Sequence, residues 1–255
     1  MKTHTISLKG KRDYNEDRFD TLSDEKEHYY AIYDGHGGDA VSDILKNNFL
    51  SKITKIYNKN EIISIFKKFQ KELRENNYND ALECGSTVLV TRINELEKTI
   101  QIMSLGDSRS ILCYGNKVIQ LNPEHKPDSE DEKKRITLEG YKIKYDKIDE
   151  IFRVQGYAVS RSMGDLKYPV ISQKPFIQTL RYSSNTKFVL LASDGLWDVL
   201  SNEDVKSFVL EKLEKQGRLQ SQDKTTEDNI AYSLGKYAIK QGSMDNVSIV
   251  LVFLC

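Results

Sequence analysis

Tyr29-Tyr30-Ala31-Ile32-Tyr33-Asp34-Gly35-His36-Gly37-Gly38 places an apolar run directly before a carboxylate, three glycines and an imidazole. The apolar half reads as a buried strand. Beyond Gly38 the apolar residues Val41, Ile44, Leu45, Phe49, Ile53 and Ile56 recur at helical spacing. A carboxylate just past a strand projects beyond the sheet, glycines let backbone approach a ligand closely, and His36 stands two residues from Asp34. This combination suits a metal, a phosphate or both. A plain strand-to-helix turn with Asp34 as a cap explains the same residues, so the decision rests on the rest of the chain.

On the C-terminal side, Ile62, Ile65, Phe66, Phe69 and Leu73 form a second helical stripe. Both stripes have the width that packing on a sheet requires, so they read as core contacts rather than partner grooves. From Gly85 to Gln120 the chain turns to short β-branched runs, 87–92, 99–104, 109–114 and 117–121, separated by Asn94-Glu95, Gly106-Asp107 and Gly115-Asn116. These features predict an antiparallel meander, with Gly106 to Arg109 as a tight hairpin that carries Asp107 at a turn position. A charged helix is expected over 128–139 and an irregular segment over 140–180. Strand texture returns at 187–192, ending in Ser193-Asp194-Gly195. Ser201 caps a helix bearing Val205, Phe208, Val209 and Leu213, and 216–225 reads as an exposed connector. A last helix over 226–240 leads through Asp245-Asn246 to the strand 247–254.

On the N-terminal side, residues 3–8 read as a strand, and Lys9 to Arg18 then holds seven formal charges in ten positions. A solvated loop is the simplest account. The adjacent acids Glu16 and Asp17, with Arg12 four residues before Glu16, also supply hard-metal ligands and an anion clamp.

Composition narrows the class. In 255 residues, 38 % are hydrophobic, enough for a sizeable core, and Lys plus Arg equals Asp plus Glu at 38 each. No overall charge draws the chain to nucleic acid or an anionic membrane, so neither is an expected partner. Cys84, Cys113 and Cys255 lack paired spacing, which argues against a disulfide framework or a zinc knuckle. The N-terminus has no apolar signal core, and no 18-residue apolar run occurs. Cytoplasm is the default compartment, and nothing in the sequence bars the nucleus. Strands, helices, then strands again, without a βαβ rhythm, predict an α+β layered domain. Residues 1–255 read as one domain, with 140–180 a flap subdomain within it.

Asp34 and Asp194 each follow the carboxyl end of a strand, whereas Asp245 precedes the amino end of one. If the last strand runs antiparallel to the other two within one sheet, all three carboxylates emerge at the same edge. Carboxylates so placed repel unless cations sit among them, and all-oxygen ligands favour Mg²⁺, Mn²⁺ or Ca²⁺ over zinc. Two-metal hydrolysis of a phosphate follows as the natural hypothesis.

Together these motifs resemble the type 2C metal-dependent serine/threonine protein phosphatases, the PPM-type family. The matching pieces stand in the family's order: Arg12 to Asp17, Asp34 to Gly38, Gly85-Ser86-Thr87, Gly106 to Arg109, His125-Lys126-Pro127, Ala158 to Asp165, Ser193 to Asp198, and Asp245-Asn246. The resemblance covers nearly the whole chain. It implies a four-layer αββα sandwich, two antiparallel β-sheets flanked by antiparallel helix pairs, with two tightly bound Mn²⁺ or Mg²⁺ ions at one end. Carried over by position, Asp34 bridges the ions, Glu16 and the Gly35 carbonyl hold one, and Asp194 and Asp245 hold the other. Asp17 holds metal-bound water, Arg12 grips the phosphate, and His36 protonates the leaving oxygen. The implied reaction is hydrolysis of phosphoserine and phosphothreonine in protein substrates by direct attack of a metal-bridging water or hydroxide, without a phosphoenzyme, in a monomer. Glu124 stands where the family carries Asp, and its longer side chain can reach a weaker third ion at a shifted position. Glu139-Gly140 replaces a glycine pair near the flap. No anchor or regulatory extension is visible.

A cysteine-based phosphatase needs Arg six residues after its nucleophile, but Val90 follows Cys84 and Ile119 follows Cys113 at that spacing. That class is excluded. Two alternatives remain: a catalytically silent pseudophosphatase serving as an interaction module, and a related hydrolase of small phosphates or nucleotides.

Overall fold

The computed structural model describes residues 1–76, 79–218 and 229–254. Strands β1 (Lys2–Leu8), β2 (Arg18–Asp24), β3 (Glu27–Tyr33) and β4 (Gly35–His36) precede helices α1 (Ala40–Ile53) and α2 (Lys59–Glu75). Next come β5 (Gly85–Ser86), β6 (Val88–Asn94), β7 (Thr99–Leu105), β8 (Arg109–Tyr114), β9 (Lys117–Gln120) and α3 (Glu130–Leu138). Then follow β10 (Ile143–Asp146), β11 (Ile151–Val154), β12 (Met163–Gly164) and β13 (Phe176–Arg181). The chain closes with β14 (Thr186–Ala192), the short α4 (Asp194–Trp197), α5 (Asn202–Arg218), α6 (Ile230–Lys240) and β15 (Val247–Phe253).

Two five-stranded antiparallel sheets form the middle, one in the order β13-β7-β6-β3-β2 and the other β1-β15-β14-β8-β9. Tyr30, Ile32, Leu89 and Ile102 of the first meet Val189, Leu191, Val250 and Val252 of the second between the sheets. On the outer face of the first sheet, Tyr29, Ala31, Tyr33 and Val90 pack on Leu45, Phe49, Phe66 and Phe69 of α1 and α2. On the opposite outer face, Leu190, Ile249 and Leu251 pack on Val205, Val209, Leu234 and Ala238 of α5 and α6. The layer order is therefore helix pair, sheet, sheet, helix pair. Central strands covered on both faces read as continuous apolar runs, which is why Tyr29 to Tyr33 and Val247 to Phe253 lack polar alternation.

The helix starts follow local chemistry. Asn58 accepts from the Asn60 amide at 2.8 Å, and Asn229 accepts from the Tyr232 amide at 3.0 Å. Ser201 and Asp204 form a reciprocal cap, with the Asp204 amide donating to Ser201 Oγ at 3.2 Å and the Ser201 amide donating to Asp204 at 3.0 Å.

The structure departs from the sequence reading in four places. The 85–120 segment is not one meander, because β6 and β7 lie in the first sheet and β8 and β9 in the second. Gly106 to Ser108 is consequently a crossover between sheets rather than a hairpin. Secondly, β3 lies in a different sheet from β14 and β15, so Asp34, Asp194 and Asp245 converge across the sandwich, not along one sheet edge. Thirdly, α5 continues through Arg218, so 216–218 are helical, while 219–225 lie outside the described residues. Lastly, α6 begins at Ile230, and the expected start at Thr226 also lies outside them.

Within 140–180, β10 and β11 form a hairpin above a small cluster of Ile136, Val154, Val170 and Ile171. The irregular part ends before Phe176, where β13 joins the first sheet beside β7.

Candidate active site

Each strand end delivers one carboxylate to the same end of the sandwich. Asp34 is fixed by Thr87, whose amide donates to the Asp34 carbonyl at 2.8 Å and whose hydroxyl accepts from the Asp34 amide at 3.1 Å. Asp194 opens α4, with its amide 3.4 Å from Asp34 Oδ2. Asp107, on the crossover, is buried beside them. Ligand oxygens of Asp34, Asp107 and Asp194 all lie within 4.8 Å of one another. Such proximity depends on Gly195, because a Cβ there would collide with the Asn246 carbonyl.

Asn246 ties the charged N-terminal loop to this end. Its side chain accepts from the Glu16 amide at 2.8 Å and donates to the carbonyls of Lys9 at 2.8 Å and Tyr14 at 2.9 Å. Glu16 is thereby held against Gly35, where a Cβ would lie 2.5 Å from the Glu16 carbonyl. Asp17 is buried and accepts from Ser193 Oγ at 2.8 Å. Arg18 fastens the same loop to α1, donating to Asp39 at 2.8 Å and to the carbonyl of Asn15 at 2.7 Å. Arg12, half exposed, pairs with Asp245 at 2.7 Å.

The electrostatics follow from this crowding. Burial, then the charges of Asp194, Asp17 and Asp107, push the Asp34 carboxyl well above its ordinary range. Asp194 moves the same way through burial, then Asp107 and Asp198. Burial drives both Asp17 and Asp107 to about 6. Without cations these acids must share protons. Hard divalent cations are the charges such an oxygen-only set lacks, so the residues fit the metals expected here.

A cavity of about 750 Å³ opens over the cluster, lined by Arg12, Glu16, Asp34, Gly35, His36, Asp107, Lys126, Asp194, Asp198 and Asp245, with Arg153 and Tyr157 from the 140–180 segment. His36 Nε2 lies 2.8 Å from Asp165, and its ring meets Tyr157 edge-on at 5.6 Å. Burial opposes the imidazolium, but the hydrogen bond and charge of Asp165, aided by Asp107 and Glu16, hold His36 above its ordinary value.

Arg12, Glu16, Asp34, Gly35, His36, Asp194 and Asp245 line this cavity and Asp17 is buried against Ser193 beside it, whereas Glu124 is not among the lining residues. That side chain hydrogen-bonds Arg109 and lies 3.5 Å from Lys126, outside the three-carboxylate cluster. Arg109 also stacks on Trp197 at 4.7 Å and donates to Asn202 at 2.9 Å, so Glu124 helps join β8 to the start of α5. The sequence reading placed Asp107 at a turn position and gave Asp198, Lys126 and Asp165 no individual role. For Asp107 no local signal existed, because the flanking strands read the same whether they pair as a hairpin or part into two sheets. Asp165 is separated from His36 by 129 positions, and no local pattern links them.

A family model described as protein phosphatase 2C matches residues 6–247. "Probable protein phosphatase 2C 2" of Arabidopsis thaliana is 31 % identical over 264 residues, covering 97 % of this chain and 66 % of that protein. "Protein phosphatase 1L" of Bos taurus is 33 % identical over 272 residues, covering 93 % of this chain and 73 % of the relative. Among solved structures, the serine-threonine phosphatase 2C from Toxoplasma gondii superposes with a TM-score of 0.81 at 19 % identity, covering 98 % of this chain and 94 % of that one. That likeness supports the fold.

Proposed function

We propose, since this chain belongs to the protein phosphatase 2C family, that it hydrolyses phosphoserine and phosphothreonine monoesters in protein substrates with the help of divalent cations. The family is one of metal-dependent hydrolases, and its curated relatives are named protein phosphatases. The observation that carries the reading is the meeting of Asp34, Asp107 and Asp194 within 4.8 Å, at the floor of a cavity that also exposes Arg12 and His36.

Asp34, Glu16 and the Gly35 carbonyl would hold one cation, and Asp34, Asp194 and Asp245 a second, with Asp17 acting through water. Asp107 is the better candidate than Glu124 for a weaker third, because Glu124 is already neutralised by Arg109. When bound, Mn²⁺ or Mg²⁺ offsets the carboxylate charge, polarises the phosphate and makes water nucleophilic near neutral pH. Arg12 spends one guanidinium donor on Asp245, and the others remain to grip the phosphate dianion. His36, favoured as imidazolium by Asp165, supplies the proton that the seryl or threonyl oxygen needs as it leaves. The flap residues Arg153 and Tyr157 border the approach to the cavity.

The silent-module reading is disfavoured, because each acid it would have to lack is present and convergent. The test is phosphate release from a phosphoserine peptide beside a phosphotyrosine peptide, with and without Mn²⁺. Rapid, Mn²⁺-dependent release from the phosphoserine peptide alone is expected. Equal rates on both peptides, or undiminished activity after exhaustive chelation, would overturn the proposal. A single monomeric domain is the expected form, checked by light scattering.

A further inference from the structure

Asp165 is a buried carboxylate with no metal-ligand role, 1 % exposed, on a residue with φ +48°. Its backbone is pinned on both sides: its amide donates to the Cys84 carbonyl at 2.9 Å, and the Gln70 side chain holds Gly164 through paired bonds of 2.6 and 2.8 Å. Asp165 Oδ2 accepts from Ser162 Oγ and stands 2.8 Å from His36 Nε2, while Oδ1 is buried without a partner among the described residues. Gly85 lies against both groups, and a Cβ there would strike Asp165 Oδ2 and His36 Nε2. A left-handed backbone at a non-glycine residue and a half-unsatisfied buried carboxylate are each costly, so the surrounding structure must enforce them. What they achieve is one fixed acceptor for Nε2–H. The ring is thereby held in a single orientation, and Nδ1, which has no partner among the described residues, is left as the donor for the cavity.

We propose that Asp165 is the positioning residue for His36, accepting from Nε2–H to hold the ring in the one orientation that presents Nδ1 to the cavity. This rests on the reading of His36 as the proton donor. As the bond from phosphorus to the seryl oxygen breaks, the Nδ1 proton passes to that oxygen. The oxygen of the incoming water forms the new bond to phosphorus and releases a proton to solvent. The neutral imidazole keeps its Nε2–H on Asp165. Tyr157, edge-on to His36 and 4.7 Å from Tyr168, limits ring tilt from the flap side.

The test compares leaving groups. A seryl alkoxide is strongly basic and needs the proton, whereas p-nitrophenolate leaves readily without it. With Mn²⁺ saturating, Asp165→Asn is expected to lower kcat on a phosphoserine peptide about 30-fold at similar KM, a fraction of the hundredfold or more that a general acid contributes. The loss on p-nitrophenyl phosphate should be at least tenfold smaller, and His36→Asn should show the same selectivity more strongly. In the metal-free protein, the His36 Nε2–H proton should give a downfield NMR resonance that Asp165→Ala abolishes. Should either Asp165 variant fail to fold, Ser162→Ala, which deletes the other donor to Oδ2, should produce the same selectivity at smaller size. Equal losses on both substrates in the Asp165 and Ser162 variants, beside a selective His36→Asn, would overturn the role of Asp165 alone. A His36→Asn variant without selectivity would overturn the His36 reading and this inference with it.

Discussion

A lone buried carboxylate and a buried group of carboxylates in this molecule have opposite electrostatics. On α3, Glu132 accepts from Arg135 at 2.9 Å, from Ser160 Oγ at 2.7 Å and from Arg161, and despite burial these partners hold it down to about 2. At the end of the sandwich, burial and mutual repulsion push Asp34 and Asp194 well up and bring Asp17 and Asp107 to about 6. Both regions pay desolvation; only one has its counter-charges built into the chain. The difference separates a carboxylate that stabilises the fold from carboxylates kept for an external cation.

The sharpest way to break this contrast is to neutralise one acid in each region. Asp194→Asn should reduce Mn²⁺-supported turnover roughly 10³-fold, through loss of several kcal/mol of metal-derived stabilisation. In chelator the same variant should melt no lower than the parent, since a repelling charge has been removed. A near-parental rate, or collapse of the fold in chelator, would put Asp194 in the structural class.

Glu132→Gln should do the reverse. Leaving Arg161 and Arg135 facing an uncharged amide is expected to cost about 4 kcal/mol in urea unfolding, with Mn²⁺ affinity retained. A loss under 1 kcal/mol would mean that the node is not a stabilising one.

A pH titration sharpens the contrast from the structural side. His125, whose Nδ1 lies 3.1 Å from the Gly106 amide nitrogen, is brought down from 6.5 to about 4 by burial and then by Arg161. Its unfolded form therefore binds a proton first as pH falls. The corresponding stability is complete above pH 6.5 and drains away toward pH 4, by about 3 kcal/mol. The depressed Glu132 contribution is complete above its ordinary 4.5 and is lost as pH falls toward 2. The raised acids of the sandwich end act in the opposite direction, so each contribution is read as a difference from its own variant. A urea-midpoint difference between parent and His125→Gln that stays constant from pH 7 to 4, or between parent and Glu132→Gln that stays constant from pH 5 to 2, would refute the corresponding assignment.

The smallest expected effect concerns Glu124. Removing it should cost about 1 kcal/mol of stability through the Arg109 contact, without changing the number of Mn²⁺ ions bound by calorimetry. Loss of an ion would return Glu124 to the metal set in place of Asp107.

Elements whose identity depends on local periodicity were legible from the sequence: the stripes of α1 and α2, the Ser201 start of α5, and the runs of β14 and β15. Asp34 and Asp194 could be placed because a strand end fixes which way the next residue points. Sheet membership was not legible, because β7 and β8 have the same texture whether they pair with each other or part at Gly106. Asp107 was read as a turn residue for that reason, although the crossover delivers it to the cluster. Asp165 was hidden differently. Its meaning depends on His36, Gly85 and Gln70, brought together only by tertiary packing.

The central claim is that divalent cations supply the counter-charge this end of the sandwich lacks, and calorimetric titration of the chelator-treated protein with Mn²⁺ tests it most directly. Two tight ions, with a rise in melting temperature and both effects reduced in Asp194→Asn, are the expected result. Absence of binding, or equal binding by parent and Asp194→Asn, would contradict it.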